Sequence, residues 1–439
     1  MRVKLSISRF SLAAFVVVFL APCFALGAGA KEIYTLDDSI AEAMANSWEI
    51  RAKEERVNEA NYAKKQARAE FLPKLGMSYG YTKESEAKTL KLGTPRPIGS
   101  KDNYQWKGII TQPVFTGFRL LSSYELAKLG IDQAKLDLEL SKLDLALRVK
   151  EAYFNILVSD KAVEVAKKDV EARESSYKVA SNYYRVGMIP VNDLLQAQVE
   201  LANAKQNLVK AENASKNARA AFNTVLSRPI NEPVEVEDIL TFKPIVGKYD
   251  DYVEQAMEKR PEIKAINVRI QQTEQQIRLA KSGNYPEIGI TYQYIKEGDS
   301  PDVSGSPYHD ASRWEAMAVA SWTFWEWGKT YYSSKEKESA KRELIKTRKS
   351  LEDKISLEVK QALLDLEEAR KNIPTTKMAV RQAEENVRVS AERYKAQVTT
   401  ITEVLDAQTR LSQTRLNYYQ ALYGHNLARA RLERAIGIY

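Results

Sequence analysis

The chain is one half-unit written twice. Residues 183–198, YYRVGMIPVNDLLQAQ, return at 393–408 as RYKAQVTTITEVLDAQ, an offset of 210 positions. A second pair, FLPKLGMSY at 71–79 and NYPEIGITY at 284–292, repeats at an offset of 213. The three-residue difference falls between these landmarks, in a strand-loop-strand region where a loop deletion costs little. Two long copies are too few for a solenoid of short repeats, so the expectation is two structurally equivalent halves of one assembly.

Within each half, the longest uniform stretch runs from about 119 to 185 and again from about 329 to 395. Both stretches are almost free of Gly and Pro and dense in Ala, Leu, Lys and Glu. At ~1.5 Å per residue each helix spans about 100 Å. Leu129, Leu136 and Leu143 recur every seven residues, as do Leu140, Leu147 and Phe154, the spacing of coiled-coil seams. Rods of this length fit no globular core and must pack side by side. Pro374 falls inside the second rod, where Glu164 stands in the first, and predicts a local kink there. Each rod ends in a short turn and returns as a shorter helix, 192–226 or 402–435. An irregular linker at 227–250, with Pro229, Pro233, Pro244 and Gly247, joins the halves and has room for a short strand at 234–236.

Ahead of each rod the periodicity changes. A helical pattern opens after Thr35, a candidate N-cap followed by Asp37 and Asp38, and breaks near Asn46 and Ser47; the matching break in the second half is at Arg260-Pro261. Pro73 and Pro286 then end these helices, and alternation takes over. Leu75, Met77, Tyr79 and Tyr81 share one side of a strand, as do Ile288, Ile290, Tyr292 and Tyr294 in the second copy. The expected strands are 74–83, 104–115, 287–296 and 313–324. Their length of about ten residues, aromatic ends and small polar opposite face are jointly what a membrane-barrel strand requires. The loops at 83–103 and 296–312 would be extracellular.

The first 30 residues carry Arg2, Lys4 and Arg9, an apolar run from Leu12 to Leu20, and Ala28-Gly29-Ala30 as a small-residue cleavage site. A signal peptide over 1–30 is expected, leaving Lys31 first. A retained anchor is the alternative, against which the run is short of the roughly 20 residues a spanning helix needs. Lipidation at Cys23 is another, and proline directly before that cysteine fits a lipobox poorly. Cleavage would remove the one cysteine and three basic residues, so the formal charge of +8 would fall to +5. Lys and Arg are spread among Glu and Asp along the helices, which gives no nucleic-acid partner. No later stretch approaches ~18 apolar residues, so any membrane crossing must be a β-barrel.

The repeated order of helix, strand hairpin, long helix, turn and returning helix resembles the TolC-like outer-membrane efflux family over nearly all of the expected mature chain. Leu72-Pro73-Lys74-Leu75 and Tyr285-Pro286-Glu287-Ile288 are similar to that family's helix-to-strand junctions. Residues 112–119, QPVFTGFR, and 324–329, FWEWGK, are similar to its strand-to-helix junctions; 184–188, YRVGM, and 402–408, TEVLDAQ, are similar to its periplasmic tips. The resemblance implies a mainly α fold with a transmembrane β-barrel portion: a homotrimer whose four strands per chain close a twelve-stranded barrel, continued by a periplasmic α-helical barrel. It implies an exit duct of a tripartite efflux or type I secretion system in the outer membrane of a Gram-negative cell. The partners would be outer-membrane lipid, a periplasmic adaptor and an inner-membrane RND, ABC or MFS-type transporter. Oligomerisation also follows from strand edges that lipid cannot satisfy.

Several tip residues carry chemistry. Glu403 and Asp406 lie three apart at a helix start, where acids favour the helix dipole in any case; the resemblance implies that in a trimer they form two carboxylate rings constricting the pore. Asp193 and Tyr394 match a pair that latches the closed tip by a hydrogen bond, and Thr399 stands where a second latch would need an arginine. Val186, Gly187 and Met188 match an adaptor docking point, with Gly187 also suited to cap a helix C-terminus. An enzyme is disfavoured: the two histidines are His309 in a loop and His425 in a helix, and no phosphate loop or metal-ligand spacing is present, so no cofactor is expected. A periplasmic coiled-coil adaptor is the competing reading, which explains the rods but not four aromatic-ended strands.

Overall fold

The computed structural model describes residues 33–90, 96–242 and 247–439. The expected signal peptide with Cys23, Pro95 of the first loop and Pro244 of the linker lie outside the described residues. In chain order the first half is β1 (Ile33–Tyr34), α1 (Leu36–Asn46), α2 (Trp48–Ala69), β2 (Lys74–Lys83), β3 (Thr89–Leu90), β4 (Arg96–Pro97), β5 (Asp102–Thr116), α3 (Arg119–Arg185), α4 (Val191–Val225) and β6 (Glu235–Val236). The second half is α5 (Tyr249–Lys259), α6 (Pro261–Lys281), β7 (Glu287–Gly298), β8 (Ser312–Ser321), α7 (Lys329–Lys395) and α8 (Ile401–Ala435).

The breaks follow local chemistry. The Asp38 amide donates to Thr35 Oγ1 at 3.1 Å, and Ser47 separates α1 from α2 while its hydroxyl accepts from Ile50. Pro261 is the first residue of α6, where its missing N–H costs nothing. Both rods start from two consecutive left-handed residues, Gly117-Phe118 and Trp327-Gly328. Glycine and aromatic exchange places between the copies. Gly117 has no freedom to do otherwise, because a Cβ there would lie 2.5 Å from the carbonyl oxygen of Ser282.

The strands form one antiparallel sheet in the order β2-β5-β7-β8. Pairing of Tyr81 with Tyr104, Tyr79 with Trp106, Ile110 with Tyr292, and Tyr294 with Trp314 puts these residues, with Leu75, Met77, Ile288 and Ile290, on one face. That face is open, with Leu75 78% and Met77 76% exposed. The opposite face holds the polar groups beside Ile109, Ile295, Met317 and Val319: Gln105 donates to Glu297 at 3.0 Å, Gln293 donates to Glu315 at 2.6 Å, and Arg313 pairs with both acids. β2 and β8 are bare edges. Three of the four strands differ from expectation at their ends, β7 by running on to Gly298 rather than 296 and β8 by starting at Ser312 rather than 313. β8 stops at Ser321 rather than 324, because Ser321 pairs with Glu287, the first residue of β7, and beyond it no partner strand remains. β5 is longer, starting at Asp102 and ending at Thr116, since it is paired on both sides.

Among the helices α3 is central, touching α2, α4, α6 and α8; α6 also lies on α7, and α7 on α8. Of the heptad residues, Leu143 and Phe154 are buried and the other four are half-buried. The main core gathers Leu145, Val149, Tyr153, Ile156, Phe222 and Leu226 midway along the rods, where the Tyr153 hydroxyl also donates to the carbonyls of Tyr34 and Glu237 beside the parallel β1–β6 pair. A second core, including Ile355, Val359 and Leu432, holds α5 to α7 and α8. The halves are tied by charge at this level, Lys150 to Glu433 at 2.6 Å and Asp144 to Arg434 at 2.9 Å, and Arg434 also pairs within its own half with Glu262 at 3.2 Å. Arg260, 3% exposed, pairs with Glu262 and Glu358. At Pro374, the place of the expected kink, α7 stays helical. The hydroxyls of Thr375 and Thr376 donate to the carbonyls of Lys371, Asn372 and Ile373 there, adding bonds to the turn that loses one at proline.

Candidate functional site at the hairpin tips

Both turns that close the helical hairpins are built alike. At the first, the amide of Gly187 donates to the Tyr184 carbonyl at 3.0 Å and that of Met188 to Tyr183 at 2.9 Å. At the second, Gln397 donates to Tyr394 at 2.9 Å and Val398 to Arg393 at 3.0 Å. These paired bonds are a Schellman cap, which needs a left-handed residue at its second position. Gly187 takes φ +76° there and Gln397 φ +59°. A Cβ on Gly187 would meet nothing within 4 Å, so backbone conformation rather than crowding asks for glycine. Val186 and Met188 stand exposed beside it, and Val191, Leu195 and Val199 continue an exposed apolar line along the start of α4.

The core under the tips consists of Ala180, Ala197, Tyr394, Ile401, Val404 and Leu405. Tyr394 is buried against the Tyr183 ring at a centroid distance of 5.7 Å. Its hydroxyl is enclosed and has no hydrogen-bond partner. The expected latch bond to Asp193 is therefore not formed. Burial first, then the charge of Asp193 and the Tyr183 ring, push the Tyr394 hydroxyl up to about 12. Asp193 is near enough to act through its field, but it sits half-exposed in the first turn of α4 and does not accept the proton. A direct tie between the tips exists elsewhere: Thr402 Oγ1 donates to Gln196 Oε1 at 3.0 Å.

Glu403 and Asp406 share the first turns of α8 but not an environment. Glu403 accepts from the hydroxyls of Thr399 and Ser390 and from Arg393 Nη1 at 2.9 Å. The Thr399 hydroxyl foremost, with the Arg393 charge and Ser390, holds its carboxyl below the usual range. Asp406 is exposed. Sequence reasoning missed Ser390, Arg393 and Thr399 as partners of Glu403. Thr399, one turn ahead of Glu403, was legible as a neighbour; Ser390 and Arg393 come from the preceding helix and meet it only after the turn folds the chain back. Among the described residues, no cluster of His, Cys, Asp and Glu is placed to hold a metal ion, and no helix is long and apolar enough to cross a membrane.

A family model described as outer membrane efflux protein matches residues 39–228 and 252–438. Outer membrane protein TolC of Vibrio cholerae is 23% identical over 301 residues, 65% of this chain and 66% of that protein. TolC of Escherichia coli is 23% identical over 312 residues, 65% of this chain and 60% of that protein, so the matches span just under two thirds of these relatives' length. The fold is similar to that of the Campylobacter jejuni CmeC outer membrane channel, with a TM-score of 0.80 at 15% identity over 92% of this chain and 85% of that one. The two matched blocks coincide with the two halves, and together they identify this chain as a member of the outer membrane efflux protein family, resident in the outer membrane of a Gram-negative cell with a large periplasmic part.

Proposed function

We propose that the chain is the exit duct of a tripartite efflux or type I secretion system, acting as a homotrimer. The observation that carries this reading is the four-stranded sheet with two unpaired edges and one largely exposed apolar face, continued directly into rods of 67 residues. Bare edges cannot face lipid, and four strands are too few to close. Three copies would give twelve strands, within the range of membrane barrels. The apolar face would meet lipid and the face with Glu297, Glu315 and Arg313 would line water. The rods would then continue the lumen into the periplasm.

At the far end, Asp406 and Glu403 are the residues of the proposed pore constriction, and three copies of each would favour cations by charge. Of the two, Asp406 presents its carboxylate freely, while that of Glu403 is neutralised in part by Arg393. Val186, Gly187 and Met188, with the apolar line on α4, are the proposed docking surface for a periplasmic adaptor that connects to an inner-membrane RND, ABC or MFS-type transporter. The test is reconstitution of the purified protein in planar bilayers with its mass measured in detergent. A trimer that conducts with cation preference is expected. A water-soluble monomer without conductance would overturn the proposal.

A further inference from the structure

The returning helices α4 and α8 end in the same cap. Ser227 and Gly437, matched residues of the two halves, both take a left-handed φ, +58° and +79°, and the amides of the residues after them donate to the carbonyls of Asn223 and Glu433 at 2.8 and 2.9 Å. In such a cap the residue after the left-handed one supplies an apolar contact. The second copy has Ile438 there, but the first has Arg228, whose side chain is only 10% exposed. Burying a guanidinium where the equivalent backbone accepts isoleucine costs stability, so packing does not account for it. Trp48 is a second departure from the repeat. It opens α2 at 71% exposure where Pro261 opens α6, and the other tryptophans all lie in the sheet or its junction with α7.

Both side chains line one groove of about 410 Å³ between the start of α2 and the turn after α4. Arg228 Nη2 and Nε donate to Glu232 at 2.6 and 3.2 Å, Glu42 lies 3.6 Å from Nε, and the Tyr34 ring stacks on the guanidinium at 4.8 Å. Nη1 has no partner. A guanidinium fixed through two of its nitrogens and unsatisfied at the third is short of one acceptor oxygen. At the other side of the groove Arg51 stacks on the Trp48 indole at 5.0 Å and donates to the Ala45 carbonyl at 3.2 Å. The turn is set in advance, because the buried Asn223 donates to the carbonyls of Ile230 and Glu232 at 3.1 and 2.8 Å.

Two arginines and two glutamates around the groove suit a ligand that carries both a carboxylate and an ammonium group. The exposed indole adds an electron-rich face, which the C–H face of a sugar ring complements. Since α2 has 22 residues, the groove lies about 33 Å from the sheet, within the periplasmic part of the chain. The fixed polymer of that compartment that bears sugar rings, carboxylates and amines together is the cell wall. We propose that this groove binds cell-wall glycopeptide, with an amino-sugar ring on Trp48, a stem-peptide carboxylate on Arg228 Nη1 and Arg51, and a peptide ammonium beside Glu42. The site would moor the waist of the rods to the wall. It requires the periplasmic placement alone and no part of the duct reading.

The test titrates the purified full chain in detergent with a soluble muropeptide, the disaccharide–tetrapeptide unit of the Gram-negative wall, and with an uncharged amino-sugar oligomer of similar length. The muropeptide should bind, and the uncharged oligomer should bind about tenfold more weakly. Trp48→Ala should weaken muropeptide binding about fivefold, and Arg228→Ile, which copies the second half, about tenfold or more. No muropeptide binding at millimolar concentration, undiminished binding in either variant, or equal binding of the uncharged oligomer would overturn the site. Should Arg228→Ile fail to fold, Arg228→Lys takes its place, keeping the charge beside Glu42 and Glu232 while losing the fork. Binding is read without conductance, so a failure of the duct reading leaves the outcome intact.

Discussion

Tyr394→Phe distinguishes the tip seen here from a tip latched through Asp193. The substitution removes one oxygen atom that is enclosed and unpartnered, and leaves the ring on Tyr183 and the surrounding Ala180, Ala197 and Leu405 untouched. A buried hydroxyl without a partner costs ~1–3 kcal/mol, so its removal should stabilise the closed tip by about 1 kcal/mol per chain, or slow local opening about fivefold. Had the hydroxyl been bonded to Asp193, the same change would speed opening by a similar factor, so the sign alone decides. Hydrogen exchange of the amides of Gln397 and Val398, which donate to Tyr394 and Arg393, reads this opening directly. Alkaline pH gives a second reading. The Tyr394 hydroxyl is raised from 10 to about 12, so the stability linked to its proton is fully present below pH 10 and is lost as pH rises towards 12. Tip opening above pH 10 should therefore be reduced in Tyr394→Phe. Asp193→Ala should leave resting conductance near that of the unmodified protein. Faster exchange at Gln397 in Tyr394→Phe, or a larger resting conductance in Asp193→Ala, would refute this account of the tip.

Three further outcomes follow from the same geometry. Asp406→Asn should reduce cation preference in planar bilayers more than Glu403→Gln does, since Arg393 already offsets Glu403; the reverse order would show the constriction charge to be misassigned. Because Thr399, Arg393 and Ser390 hold the Glu403 carboxyl below its ordinary 4.5, their tie is present above that pH and is lost as pH falls through the lowered value; acid should loosen the second tip in the unmodified protein and not in Glu403→Gln, read by exchange at Val404 and Leu405. Arg260→Met should destabilise the chain by about 2 kcal/mol in denaturant unfolding, since it leaves the half-buried Glu262 with Arg434 as its remaining partner, whereas an exposed pair such as Arg388–Glu385 should be removable without measurable loss.

The rods were legible to the residue because their signal is local: Gly117-Phe118 and Trp327-Gly328 start them, Gly187 and Gln397 end them, and little between favours a break. The breaks at Ser47 and Pro261 were legible for the same reason. What sequence could not supply was anything set by a partner distant in the chain. The end of β8 depends on where β7 begins, and the two-residue strand β1 exists only because β6 returns beside it after about 200 residues. The burial of Arg173 was hidden likewise, since one arginine in a helix rich in Lys and Glu looks like surface until Glu200 of α4 and Thr409 of α8 close over it.

Repetition itself misleads at the tips. The two halves keep the same Schellman bonds and the same helix lengths, but Gly187 is matched by Gln397, Asp193 by Glu403 and Gln196 by Asp406. A backbone can be duplicated while its side chains divide the work. The first tip keeps the glycine and an exposed apolar surface, and the second carries acids, one of them bound to Arg393. A left-handed glutamine costs ~1–2 kcal/mol against glycine before glycine's own entropy of ~0.5–1 kcal/mol is set against it. Gln397→Gly should thus tighten the second tip by about 0.5–1 kcal/mol, and Gly187→Ala should loosen the first by about 1 kcal/mol. Exchange at Val398 should slow by roughly two- to fivefold in the former and exchange at Met188 should speed up about fivefold in the latter. Equal and opposite neutrality, with neither amide affected, would mean that the caps do not limit opening and that the turns are held from above by the core around Ile401 and Tyr394.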